Sequence, residues 1–186
     1  MAGVAAVALS MVQSTQAITL TGNIGFTGLA TLNTASAGTA TTITSYSGTQ
    51  VQGISGVIAG YAANNDNVTF TTPWTFYPGS AVPITPFWTD ITSGTGLTFS
   101  LSSWTAVRDL VGSPSVKIVG IGTMSDTAGD TGAFDFVVTL QDPAAQAPQQ
   151  FSFSASSHNV PDGGTTALLL GAALTGLFLL RKQVLA

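Results

Sequence analysis

The chain contains no cysteine, no glutamate and a single histidine. Without cysteine, neither a disulfide framework nor a thiolate metal site can form. Charge is scarce as well. Charged residues make up 6% of the chain, against about 25% in an ordinary soluble domain. The only cations are Arg108, Lys117, Arg181 and Lys182, and every acidic residue is Asp. With a pI near 4.3 and no basic cluster, nucleic acid is excluded as a partner, because phosphate binding needs Lys and Arg. Thr, Ser, Gly and Ala dominate what remains. A helical cytosolic protein covers its exposed faces with Glu and Lys, so this composition points to a β-rich exported protein whose surface is solvated by hydroxyls.

The 186 residues allow one domain plus processing segments. Residues 1–17 (MAGVAAVALSMVQSTQA) read as the later part of a secretory signal peptide. Ala2 to Val12 is its apolar core, and Thr15-Gln16-Ala17 ends in the small residue that signal peptidase favours. Cleavage is expected after Ala17, and Ile18 opens a strand-like run. No Lys or Arg precedes the apolar core, which fits a true start upstream of Met1. The alternative is an apolar strand or helix of the mature domain.

At the other end, Thr165 to Leu180 (TTALLLGAALTGLFLL) carries no charge. Sixteen helical residues rise roughly 24 Å, a short span for a hydrocarbon core of about 30 Å and one that a thinned bilayer accommodates. Arg181 and Lys182 follow at once, where cations mark the cytoplasmic side. Residues 165–180 are therefore expected to be a short transmembrane helix and 181–186 a basic cytoplasmic tail, with the domain outside. A buried core helix is the competing reading of such a run. Against it, the run has no polar face and follows a polar linker.

Just before this helix stands Val160-Pro161-Asp162-Gly163-Gly164. Pro161 keeps Val160 extended and blocks a helix from running backwards. Asp162 is a good N-cap, and the two glycines keep the backbone slim for a protease cleft. The order of motif, apolar helix and basic pair at the C-terminus resembles the PEP-CTERM class of sorting signal, in particular its VPDSG/VPDGG variants. Asp162 stands where the commonest form has Glu, and Gly163 where another variant has Ser. The resemblance implies an exosortase as partner, after the Sec translocon and signal peptidase. It implies transient anchoring in the inner membrane of a Gram-negative bacterium, then release to the outer envelope or the extracellular matrix. Carriers of such signals are associated with exopolysaccharide and biofilm.

Residues 18–155 form the exported domain, and 156–164 the linker and sorting motif. Short runs separated by Gly, Pro, Asn and Asp predict about ten strands, with no soluble helix. They are Ile18–Phe26, Thr41–Tyr46, Val51–Ala59, Asn67–Thr72, Trp74–Tyr77, Pro86–Ile91, Leu97–Trp104, Ser115–Met124, Ala133–Leu140 and Gln150–Ala155. Leu97, Phe99 and Leu101 alternate with Thr and Ser; so do Phe151, Phe153 and Ala155. Period-two alternation marks half-buried antiparallel strands. The expected fold is all-β, an antiparallel β-sandwich of jelly-roll-like form. Trp104–Val111 (WTAVRDLV) reads either as one helical turn or as a continued strand. Gly120-Ile121-Gly122-Thr123, the Asp126–Gly132 loop and the Phe151–Ala155 strand also resemble the passengers of PEP-CTERM proteins. That implies a shared β-domain and no activity.

Chemistry is thinly represented. His158, the only histidine, lies in the linker and reads as a surface residue, so a Ser-His-Asp triad or a zinc site has no seed. Asp66, Asp90, Asp109, Asp126, Asp130, Asp135 and Asp142 offer carboxylates for hydrolysis in principle, but none sits in a motif. Asp66, Asp126, Asp130 and Asp142 occupy turn contexts. Asp126 and Asp130 are weak calcium candidates without EF-hand spacing; otherwise no cofactor is expected. Gly120–Gly122 lacks the third glycine and the helix of a nucleotide loop. Trp74 and Trp88, among prolines, either stack on sugar rings or belong to the core. Three functions follow, in descending order. The first is a structural envelope or matrix protein; the second a carbohydrate- or calcium-dependent binding module; the third an Asp-dependent hydrolase.

Overall fold

Alternation of apolar and small polar residues builds an antiparallel β-structure throughout the described part of the chain. The computed structural model describes residues 17–90, 92, 94–111, 114–141, 148–158 and 170. The elements are β1 (Gly22–Leu32), β2 (Thr42–Gly56), a 3-10 turn (Val57–Gly60), β3 (Val68–Phe70), β4 (Trp74–Thr75), β5 (Gly79–Ser80), β6 (Ile84–Asp90), β7 (Thr98–Asp109), β8 (Ser115–Ser125), β9 (Thr131–Gln141) and β10 (Gln149–Ser157).

The predicted all-β, antiparallel class holds. The hydrogen bonding, however, makes one ten-stranded sheet in the order β3-β6-β7-β8-β9-β10-β1-β2-β4, with β5 on β7, where a sandwich would have two separate sheets. Register shifts in the β1–β2, β6–β7 and β7–β8 pairings add local twist, as bulges do, and the sheet curls. Its two ends approach each other. Gln50 of β2 bridges Asn67 beside β3, and the Val51 amide donates to the Asp66 carbonyl at 3.0 Å. Facing parts of the curl pack across the core as the layers of a sandwich do. Phe153 on β10 stacks on its cross-strand neighbour Phe26 of β1 at 5.1 Å and meets Phe99 of β7, opposite, at 5.6 Å. Trp88 of β6 meets Phe26 edge-on at 4.9 Å. Such edge and offset contacts are the favoured aromatic geometries.

The short β5 and the 3-10 turn were not predicted, and other elements differ in extent from the expected ones. β2 runs unbroken through Gly48 and Gly53, where two strands were predicted. β7 continues to Asp109, so WTAVRDLV is strand and not a helical turn. β1 starts at Gly22 and not at Ile18, because residues 18–20 leave the β1 line and lie along β9 instead, with Thr19 bridging Thr131 in parallel.

The sorting motif (Val160, Pro161, Asp162, Gly163, Gly164), the residues 165–180 predicted to cross the membrane (apart from Leu170), Arg181, Lys182 and residues 1–16 lie outside the described residues. Among the described residues no helix is long and apolar enough to cross a membrane.

Candidate functional site

The sheet order sets the first strand, β1, beside the last, β10, whose other neighbour is β9. The segment entering β1 and the segment leaving β10 therefore meet at one pole of the curled sheet. β10 ends at Ser157, and the His158 amide still donates to the Ala133 carbonyl at 2.8 Å. There the chain leaves the edge of β9. Two residues back along β9, the vacated edge is taken by the incoming segment: the Leu20 amide donates to the Thr131 carbonyl at 2.9 Å. At about 3.3 Å per residue, exit and entry stand roughly 7 Å apart.

Gly132 makes this approach possible. A Cβ there would lie 2.0 Å from the Leu20 carbonyl oxygen, so only glycine lets the two backbones come together. Leu20 is fully buried, and its side chain anchors the entering segment to the core.

The loop Asp126–Asp130 between β8 and β9 completes the pole. The Asp126 carboxylate accepts the Asp130 amide at 2.9 Å, the Asx-type turn role expected of it. Asp130 is only 7% exposed and has two donors from distant segments. Its Oδ1 accepts the Ile18 amide at 2.6 Å, and its Oδ2 accepts the Tyr61 hydroxyl at 2.8 Å. The bond to Asp130 holds the proton on Tyr61 and raises its pKa; smaller contributions come from desolvation and from the charges of Asp130 and Asp126. Two residues beyond Ala133, Asp135 meets His158 Nδ1 at 2.8 Å, both side chains about half exposed. Ala17, the expected cleavage residue, is exposed at the edge of the described chain.

Other sequence candidates fall elsewhere. Trp74 and Trp88 were candidate glycan contacts; they are 1% and 0% exposed and packed on Phe87 and Phe26. Neither offers a ring face to a sugar, so both belong to the core. Gly120 and Gly122 lie inside β8. A Cβ at Gly120 would meet Phe136 at 2.7 Å, and one at Gly122 would meet Phe99 at 2.4 Å. The Gly-x-Gly pattern thus makes room for two core rings. Asp66 accepts the Ala63 amide at 2.7 Å and Asp109 the Val111 amide at 3.0 Å, both turn roles. Asp126 and Asp130, the weak calcium candidates, do share one loop. Among the described residues no group of three or more His, Cys, Asp or Glu side chains is placed to hold a metal. Asp142 lies outside the described residues.

Sequence reasoning missed the links from Asp130 to Ile18 and Tyr61 and from Asp135 to His158. The first spans 112 positions, and no local pattern announces it.

On the far side of the same sheet from its core, Thr27, Thr139, Gln141, Gln150 and Ser152 line a shallow trough over Gly28. The Thr139 and Ser152 hydroxyls bond each other at 2.5 Å.

Comparison with known proteins bears on the tail. No curated protein and no solved structure matches the chain. Residues 159–184 match the VPDSG-CTERM motif, beginning one residue after His158, where the chain leaves the sheet. Such a signal implies export via the envelope and processing by an exosortase. The chain carries a PEP-CTERM-type sorting signal of the VPDSG-CTERM kind at residues 159–184.

Proposed function

We propose that this is a non-enzymatic structural protein of the bacterial envelope or extracellular matrix, exported through the Sec route and released by an exosortase into contact with exopolysaccharide. The observation that carries this reading is the sorting signal, joined directly to the last strand of a closed-up β-domain. Residues 159–164 span at most about 20 Å when extended. The pole bearing Asp130 and His158 would then face the membrane before cleavage, with the ends of β1, β7 and β9 at Leu32, Asp109 and Gln141 turned away. Transient membrane attachment through residues 165–182 presents Val160–Gly164 to the sorting enzyme.

The outer surface supports a polysaccharide partner of neutral character. The trough over Gly28 sets hydroxyl and amide groups beside the exposed Leu29; the polar groups can hydrogen-bond to sugar hydroxyls without needing charge. The carboxylates with turn roles are bonded to backbone amides, which fits stability more than hydrolysis.

The test is fractionation of native-host cultures. The protein is expected in the extracellular polysaccharide fraction, and in the soluble medium when polysaccharide synthesis is disabled. A protein that stays with the membranes in both strains would contradict the matrix reading.

A further inference from the structure

We infer that the pole of the sheet holds a docking site for the protein's own new N-terminus: removal of the leader after Ala17 turns the Ile18 amide into an α-ammonium group that pairs with Asp130. The inference rests on the reading of residues 1–17 as a signal peptide.

Hydrolysis of the Ala17–Ile18 bond breaks its C–N link. The hydroxyl of the attacking water goes to the Ala17 carbonyl carbon and a proton goes to the Ile18 nitrogen. The resulting amine takes a further proton from solvent below its pKa. The nitrogen is already in place, 2.6 Å from Asp130 Oδ1. Before cleavage it offers one neutral N–H; afterwards it offers a positive charge and three donors. The position is held independently of that bond, because the Leu20 amide is fixed on Thr131 and the Leu20 side chain is buried.

The electrostatic setting favours the ammonium form. Asp130 is nine-tenths buried and its neighbour Asp126 adds a second carboxylate on the same loop. The other titratable group facing the site is Tyr61, a neutral donor on Oδ2. Asp135 and His158, further along β9, pair with each other. Of the Lys and Arg side chains, only Arg108 and Lys117 are among the described residues, and both belong to the opposite pole. Lys117 stands eight residues along β8 from Ser125, roughly 26 Å at strand rise, and Arg108 lies over the Tyr77 ring at 3.5 Å. A buried carboxylate without a cation is costly, and pairing with one offsets part of that cost. Cleavage itself thus supplies the missing counter-charge, and the mature form is the one the pole is built for.

The test uses the chain from Ile18 to Ala186, released from a fusion so that Ile18 is first, in detergent. Its α-amino group is titrated by pH-dependent acylation. An ordinary α-amino group titrates near 7.7–8.0. Docking on Asp130 is expected to raise this by about one unit and to slow acylation at pH 7.5 about tenfold, with D130N restoring the ordinary rate. A second chain that keeps Ala17 in front of Ile18 leaves Asp130 intact. It is expected to show an ordinary α-amino group and a lower unfolding midpoint. Ordinary titration in the Ile18 chain, or equal midpoints for the two chains, would overturn the docking. The N-terminal mass of the protein from its native host tests the other half: a start elsewhere than Ile18 would overturn the processing reading.

Discussion

Gly132→Ala is the sharpest perturbation of the pole. The added methyl would stand 2.0 Å from the Leu20 carbonyl oxygen and 3.0 Å from the Phe134 ring. The first neighbour is backbone, so the entering segment has to move off β9. Two losses follow. Leu20 gives up its burial, worth about 1.5–3 kcal/mol for a leucine. The Leu20–Thr131 backbone bond goes too, at about 1 kcal/mol. The expected destabilisation is about 2.5–4 kcal/mol, read from guanidinium unfolding of the mature protein. Gly53→Ala on β2 is the control: nothing lies within 4 Å of its Cβ position, and a change within about 0.5 kcal/mol is expected. Hydrogen exchange should show the Leu20 amide losing protection in G132A while the amides of β8 keep theirs. If G132A were as mild as G53A, the seating of residues 18–20 on β9 would be refuted.

Three further perturbations probe the sheet. Tyr46 is half-buried on Phe70 and Phe151, but its hydroxyl is fully covered and has no hydrogen-bond partner among the described residues. Tyr46→Phe should therefore stabilise the protein by about 1 kcal/mol at neutral pH. Burial raises the Tyr46 pKa well above its ordinary value, so the folded form keeps its proton where the unfolded chain loses it. Stability is full below about pH 10 and falls above it by about 1.4 kcal/mol per pH unit; Y46F should flatten that loss, and an unchanged alkaline slope would contradict it. Trp88→Ala should cost about 3–5 kcal/mol, seen as a lower thermal midpoint in near-ultraviolet circular dichroism, since the ring packs on Phe26, Phe99 and Phe153; an unshifted midpoint would argue against a core role. Arg108→Lys keeps the charge but loses the planar stack on Tyr77 and the fork that donates to the Ala40 carbonyl, a loss of about 1 kcal/mol in urea unfolding.

Strands with large inward side chains were legible in the sequence. β8, β9 and β10 alternate cleanly, and Phe151, Phe153 and Ala155 point inward as predicted. β1 was read too early and too short, because its second half turns Gly28, Ala30 and Leu32 toward the core and small residues carry little hydrophobic signal. β2 was divided because its inward Thr49 and its glycines break the apolar rhythm. One continuous sheet in place of a sandwich depends on bulges and on the Gln50–Asn67 bridge, which no local pattern specifies. The processing end divides the same way. The sorting signal is a linear motif of neighbouring residues, so sequence alone showed it. Asp130 looked like any turn aspartate, because its partners Ile18 and Tyr61 are brought to it only by long-range pairing, of residues 19–20 with Thr131 and of β1 with β10 and β2.

The most direct test of the account is the intact mass of the protein from its native host, with and without the exosortase-type gene. The account expects a species that starts at Ile18 and ends within Val160–Gly164, with that C-terminus lost when the gene is removed. A protein still carrying Thr165–Ala186 in both strains would contradict it and leave the tail as a plain anchor.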